Sequence, residues 1–128
     1  MRLMVFDDDE MTVPAVRSLV GARGGIVMGP FRCLDSVFEQ IAEERPDAAL
    51  LNYHLCRASS GRLDSILRAL RIPFAWMCDM PGGLLREAEP MLLKPIRPGA
   101  LAEVLAALEQ ERHVPLPRQW GEGAARLH

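Results

Sequence analysis

The sequence has little excess charge, few cysteines and no long apolar run, and each shortage excludes a class of protein. Lys and Arg number 15 against 17 Asp and Glu, a net charge of −2. The basic residues are mostly Arg and scattered, so no stripe tracks a phosphate backbone and nucleic-acid binding is not expected. Cys33, Cys56 and Cys78 are odd in number and form no CxxC pair. That argues against both a disulfide framework and a structural zinc site, and three reduced thiols suit a cytoplasm. No apolar stretch approaches the roughly 20 residues that span a bilayer, so no membrane association is expected. The opening MRLMVFDDDE turns acidic too early for a secretory h-region.

What is present is an ordinary globular balance, 49% hydrophobic and 25% charged over 128 residues, enough for one domain with a real core. Short apolar runs alternate five times with amphipathic stretches. Leu3-Met4-Val5-Phe6 suits a strand buried on both faces of a parallel sheet. Val13, Val16, Leu19 and Val20 then recur at helical spacing. Thr12 is placed to cap this helix, Pro14 sits in its first turn, and Gly24-Gly25 ends it.

Ile26–Met28 reads as the second strand. Leu34, Val37, Phe38 and Ile41 make the next helical stripe, stopped by Glu-Arg-Pro at 44–46. The third strand is Ala48–Leu51, followed by a polar loop from Tyr53 to Gly61. Leu63, Ile66, Leu67 and Leu70 mark the third helix, and Pro73–Cys78 the fourth strand. Pro81-Gly82-Gly83 opens a shortened fourth helix. Met91–Leu93 is the fifth strand. Pro98 to about Arg112 is the last helix, with Leu101, Val104, Leu105 and Leu108 on one face.

Strands separated by 10–15-residue helices imply right-handed crossovers and a parallel sheet covered on both sides. The expected fold is therefore α/β, a flavodoxin-like (βα)5 doubly wound sandwich with a five-stranded parallel sheet. The folded domain covers 1–112, and 113–128 reads as a Pro- and Gly-rich tail. In such a fold the functional crevice lies beyond the C-terminal strand ends. There the sequence places Asp7-Asp8-Asp9 after the first strand, Asn52 after the third, Cys78 after the fourth and Lys94-Pro95 after the fifth.

VFDDDE, DAALLNYHL, IPFAWMC and LLKP, in that order and spacing, resemble the receiver domain of response regulators, over Arg2 to about Leu108. The resemblance implies two-component signalling. In that family two acids after strand one and an Asp after strand three bind a divalent metal, usually Mg2+. The third-strand Asp takes a phosphoryl group, which a Thr or Ser and a Lys then read. Carried over residue by residue, Asp7 and Asp8 stand at the acid pair, Asn52 at the acceptor, Cys78 at the Thr/Ser position and Lys94 at the lysine. Met91 stands where the family often has a switching aromatic.

The departures point away from phosphorylation. A neutral carboxamide at Asn52 cannot attack phosphorus as a carboxylate does, and it removes a charge from a site for a hard cation. Cys78 offers only a weak S–H donor. Any Mg2+ site at Asp7, Asp8 and Asn52 is thus expected to be weak or lost, and the acids equally suit a solvated turn at the first helix N-terminus. Lys94 can serve as their salt-bridge partner, with Asn52 hydrogen-bonding Lys94. His54 and Cys78 have bland readings as a loop histidine and an inert strand-end thiol, beside a phosphohistidine or metal role and a redox role respectively. Trp76 reads as core, with Ala75 and Met77 on the opposite face. Met80–Gly83 reads as either a partner-binding loop or a plain turn.

The expectation is a pseudo-receiver acting by protein contact, not an enzyme. Its partner would be a histidine kinase, a phosphotransferase or a downstream regulator, or a second copy in a homodimer. The contact face would involve Met91, Ile96 and the 98–110 helix. The alternative is a phosphorelay receiver modified at another residue, such as His54 or an acid among 7–9. A metal-assisted phosphohydrolase lacks a nucleophile, a glycine loop and a positioned base.

Overall fold

Leu3, Met4, Val5 and Phe6 have no solvent exposure at all, which is what a continuous apolar run requires of its surroundings. In the computed structural model, which describes residues 1–59, 62–79 and 88–113, they form most of β1 (Arg2–Phe6). The other strands are β2 (Ile26–Phe31), β3 (Ala48–Asn52), β4 (Phe74–Cys78) and β5 (Met91–Leu93). All four pairings are parallel, and the strand order is β2-β1-β3-β4-β5. The chain leaves β1 in one direction to reach β2 and crosses back to β3. The order therefore reverses between β1 and β3, and a crevice opens beyond their C-terminal ends.

Strand periodicity divides the core in two. Leu3, Val5, Ala48, Leu50, Ala75 and Met77 face one side. There α1 (Thr12–Ala22) contributes Val16 and Val20, and α5 (Pro98–His113) contributes Leu101, Leu105 and Leu108. Met4, Phe6, Ala49, Leu51, Phe74 and Trp76 face the other side. It is covered by α2 (Leu34–Glu43) through Val37, α3 (Tyr53–Ala58) through Cys56, and α4 (Leu63–Ala69) through Leu63 and Leu67. Trp76 thus points away from Ala75 and Met77, as the strand period of two demands. The expected α/β sandwich is the observed one. No helix among the described residues is long and apolar enough to cross a membrane.

Register sets up the crevice. Phe6 pairs with Leu51, Leu51 with Trp76 and Trp76 with Met91. The residues that follow, Asp7, Asn52, Cys78 and Lys94, therefore emerge at one end of the sheet. The β1–β2 ladder shifts between Met4 and Phe6. There Gly29 adopts a φ of +105°, and a Cβ would lie 2.8 Å from the backbone nitrogen of Phe31. Only glycine fits without strain. The shift lets the Asp7 N–H reach the Phe31 carbonyl at 3.0 Å.

Four local expectations are corrected. The polar stretch after β3 is not all loop, because Asn52 accepts from the Leu55 N–H at 2.8 Å and caps a short helix, α3. Thr12 does not cap α1. The N-cap is Met11, without a side-chain cap, and the Asp9 carboxylate accepts from the Met11 N–H and the Thr12 hydroxyl instead. Phe38 is exposed because it sits about 100° around α2 from buried Val37. Leu70 is exposed because it lies past the last turn of α4, at its C-cap. The shortened fourth helix at Pro81-Gly82-Gly83, the partner loop from Met80 and the tail beyond His113, with Trp120, lie outside the described residues.

Candidate functional site: the crevice at the strand ends

The crevice has a volume of about 710 Å3 and is lined by Asp8, Asp9, Asn52, His54, Asp79 and Lys94, among others. Asp7, next to Asp8 in the chain, leaves β1 directly into the interior and is 1% exposed. A carboxylate buried this deeply needs partners on both oxygens. Asp7 Oδ1 accepts from the Asp9 N–H at 3.0 Å and from the Asn52 side-chain amide at 3.2 Å. Asp7 Oδ2 faces the Lys94 ammonium at 2.8 Å, and among the described residues no other group donates to it.

Lys94 is the only lysine in the chain. Its backbone N–H donates to the Cys78 carbonyl at 2.8 Å, which anchors it beside β4. Its ammonium also meets Asp9 Oδ2 at 3.2 Å. Burial opposes the charge on Lys94. The hydrogen bond and charge of Asp7, followed by those of Asp9, outweigh it and hold the ammonium pKa above the ordinary lysine value. The Asp9 carboxyl is held below the usual aspartate value, first by the Met11 N–H and then by Lys94.

The acid pair around the lysine is therefore Asp7 with Asp9, while Asp8 is exposed at the crevice wall. The resemblance implies Asp7 with Asp8 as the acids of a divalent-metal site, a different role from pairing with Lys94. Asp9 was legible only as part of the acidic run at the start of the first helix. Asn52 bonds Asp7 rather than Lys94, because its amide oxygen is taken by the Leu55 N–H.

This donor set does not fit Mg2+. That ion requires near-octahedral oxygen ligands and gives up its waters reluctantly. Here Asp7 Oδ2 faces an ammonium, Asp7 Oδ1 accepts two hydrogen bonds, and the Asn52 oxygen caps α3.

The remaining predicted positions separate from this cluster. Cys78 is 1% exposed, and its sulfur lies 3.8 Å from His54 Nε2. Met91 pairs with Trp76 and packs into the core on the α3 and α4 side. A second polar network, absent from the sequence reading, lies away from the crevice. Asp64 is 2% exposed and accepts from Arg68 at 2.9 Å, while Arg68 also holds Glu89 with two bonds of 2.8 and 2.9 Å.

No protein-family model matches the chain, and no curated protein matches it. Solved structures do. The receiver domain of PhyR from Erythrobacter litoralis superposes with a TM-score of 0.74 at 19% identity, covering 91% of this chain and 95% of that one. SdrG from Sphingomonas melonis Fr1 gives a TM-score of 0.69 at 19% identity, covering 85% and 96%. The response regulator PhyR from Brucella abortus gives 0.69 at 23% identity, covering 98% of this chain and 50% of that chain. This chain has the receiver fold. It spans about half the length of the Brucella PhyR, and nearly all of the isolated receiver domain and of SdrG. The crevice of this chain holds an acid–lysine cluster and the Asn52 amide at the end of β3.

Proposed function

We propose that this chain is a receiver-type module of two-component signalling that regulates by protein contact and is not itself phosphorylated. The observation that carries the reading is Asn52. By the receiver resemblance it stands where the acceptor Asp would be, and its side chain donates to Asp7 and caps α3. A carboxamide so committed has neither the charge nor the free lone pairs for attack on a phosphodonor. Lys94, the residue that would read a phosphoryl group, is held by two carboxylates. On this reading the crevice is fixed in one state, needs no Mg2+ and catalyses nothing.

Regulation then depends on what the module touches. The partner is a histidine kinase, a phosphotransferase or a downstream regulator in the cytoplasm, or a second copy of the chain. The contact face involves Ile96 and the 98–110 helix beside the edge strand β5; Met91, expected there as well, packs instead into the core on the α3 and α4 side.

The test is intact mass after incubation with a small phosphodonor and Mg2+, with Asn52→Asp run in parallel. The expected result is no added phosphate on the native chain and one phosphoryl group on the variant. Phosphate on the native chain, mapped to His54 or to Asp7–Asp9, would overturn the reading in favour of a phosphorelay.

A further inference from the structure

Three potential metal ligands of different chemistry meet at the rim of the crevice, apart from the acid–lysine cluster. His54 is the second residue of α3, Cys78 is the last residue of β4, and Asp79 follows it. One ligand atom of each lies within 4.8 Å of the others. We propose that His54, Cys78 and Asp79 form a binding site for a borderline-soft divalent metal, with Zn2+ as its ion. The site is independent of the regulatory reading above, since it uses none of Asp7, Asn52 or Lys94.

The spacing carries the argument. His54 Nε2 lies 3.6 Å from Asp79 Oδ1 and 3.8 Å from Cys78 Sγ. The first gap is too long for a good hydrogen bond between nitrogen and oxygen, which closes to about 3.2 Å or less. Bond lengths of about 2.3 Å to sulfur and about 2.0–2.1 Å to nitrogen and oxygen set the alternative scale. Tetrahedral ligands at those lengths stand about 3.5 Å apart for sulfur and nitrogen, and about 3.3 Å for nitrogen and oxygen. These two gaps exceed the tetrahedral values by only a few tenths of an ångström, and Cys78 and Asp79 offer ligand atoms within 4.8 Å of each other, which the exposed Asp79 can close.

The mounting also suits a metal. Cys78 is fixed at a buried strand end by the Lys94 N–H on its carbonyl. The soft ligand is thus rigid, while the two harder ligands lie on the accessible side. Thiolate and imidazole select zinc over magnesium or calcium. The crevice, lined by both His54 and Asp79, leaves a fourth position open to water. On binding, the Cys78 thiol gives its proton to solvent and a zinc–sulfur bond forms.

The experiment uses the full chain, stripped with a chelator and titrated with Co2+ in place of Zn2+. The expected result is a thiolate-to-cobalt charge-transfer band with intense visible absorption of four-coordinate cobalt, abolished by Zn2+ and unaffected by excess Mg2+. Cys78→Ser should remove the charge-transfer band. His54→Ala and Asp79→Ala should each weaken cobalt binding at least about 10-fold, while Cys33→Ser leaves it unchanged. Absence of the band in the native chain, its survival in Cys78→Ser, or displacement of the metal by Mg2+ would each overturn the proposal. If Cys78→Ser does not fold, His54→Ala decides the question, because that side chain is 59% exposed. Undiminished cobalt affinity there would overturn the site.

Discussion

Lys94 Nζ stands 2.8 Å from Asp7 Oδ2, joining the loop after β5 to the end of β1 across the whole crevice. The Asp7 side chain has no exposure and that of Lys94 has 14%, so the pair is largely withdrawn from water. Losing one partner of such a pair costs more than the pair contributes, since the other charge is left buried alone. Lys94→Met should destabilise the fold by about 3 kcal/mol. Adding Asp7→Asn should restore part of that loss. Urea midpoints of the two single variants and the double variant check this. Additive losses would show that the two side chains do not act as a pair.

The same pair predicts an alkaline limb. The folded-state pKa of Lys94 is raised above 10.5, since Asp7 and Asp9 outweigh the opposing effect of burial. The folded chain therefore keeps this proton at a pH where the unfolded chain has lost it. The stabilisation is complete below about pH 10.4 and falls as pH rises through the folded value. Denaturation midpoints measured from pH 8 upward should drop more steeply for the native chain than for Lys94→Met. Parallel curves would assign the alkaline limb to other groups.

Arg68 supports a second expectation, away from the crevice. It bonds Asp64, which is 2% exposed, and Glu89, which precedes β5. The Glu89 hydrogen bond, against the effect of burial, raises the guanidinium pKa well above its ordinary value. Arg62 approaches Asp64 only to 3.7 Å from a largely exposed position, so it compensates poorly. Arg68→Ala should cost about 3 kcal/mol, and Asp64→Ala together with Arg68→Ala should cost less than the sum of the single changes. Thermal denaturation of the three variants measures this coupling.

The sheet was largely legible because its signal is collective. Five apolar runs with intervening helices leave one economical architecture, and the strand period alone assigned Trp76 and Met77 to opposite faces. The ring of residues at the strand ends followed from that architecture. The bonds within the ring did not. Whether Asn52 reaches Lys94 or Asp7 depends on the first turn of α3, whose six residues carry too weak a pattern to be read as a helix. The choice of Asp9 over Asp8 as the second partner of Lys94 depends on loop geometry after β1. Asp64 carries no signal of its own in the helical stripe of Leu63, Ile66, Leu67 and Leu70. Its burial depends on Arg68 one turn away, a pairing that charge spacing suggests but cannot bury.

Asn52→Asp makes the sharpest prediction about the crevice. The new carboxylate can still cap α3, since it retains an oxygen for the Leu55 N–H. It loses the amide donor to Asp7 Oδ1, a bond of 3.2 Å, and sets a second negative charge against a buried one. Without divalent metal the variant should be less stable than the native chain by about 1–3 kcal/mol. Mg2+ should reverse part of this, because the restored carboxylate gives the hard cation an anionic ligand beside Asp7 and Asp8. Binding to the folded state alone stabilises it by mass action. The expected pattern is a melting temperature that rises with Mg2+ in Asn52→Asp and stays level in the native chain. An equal rise in both would mean that the native amide still admits the ion. A level response in both would mean that Lys94 holds Asp7 too firmly for one carboxylate to recover the site.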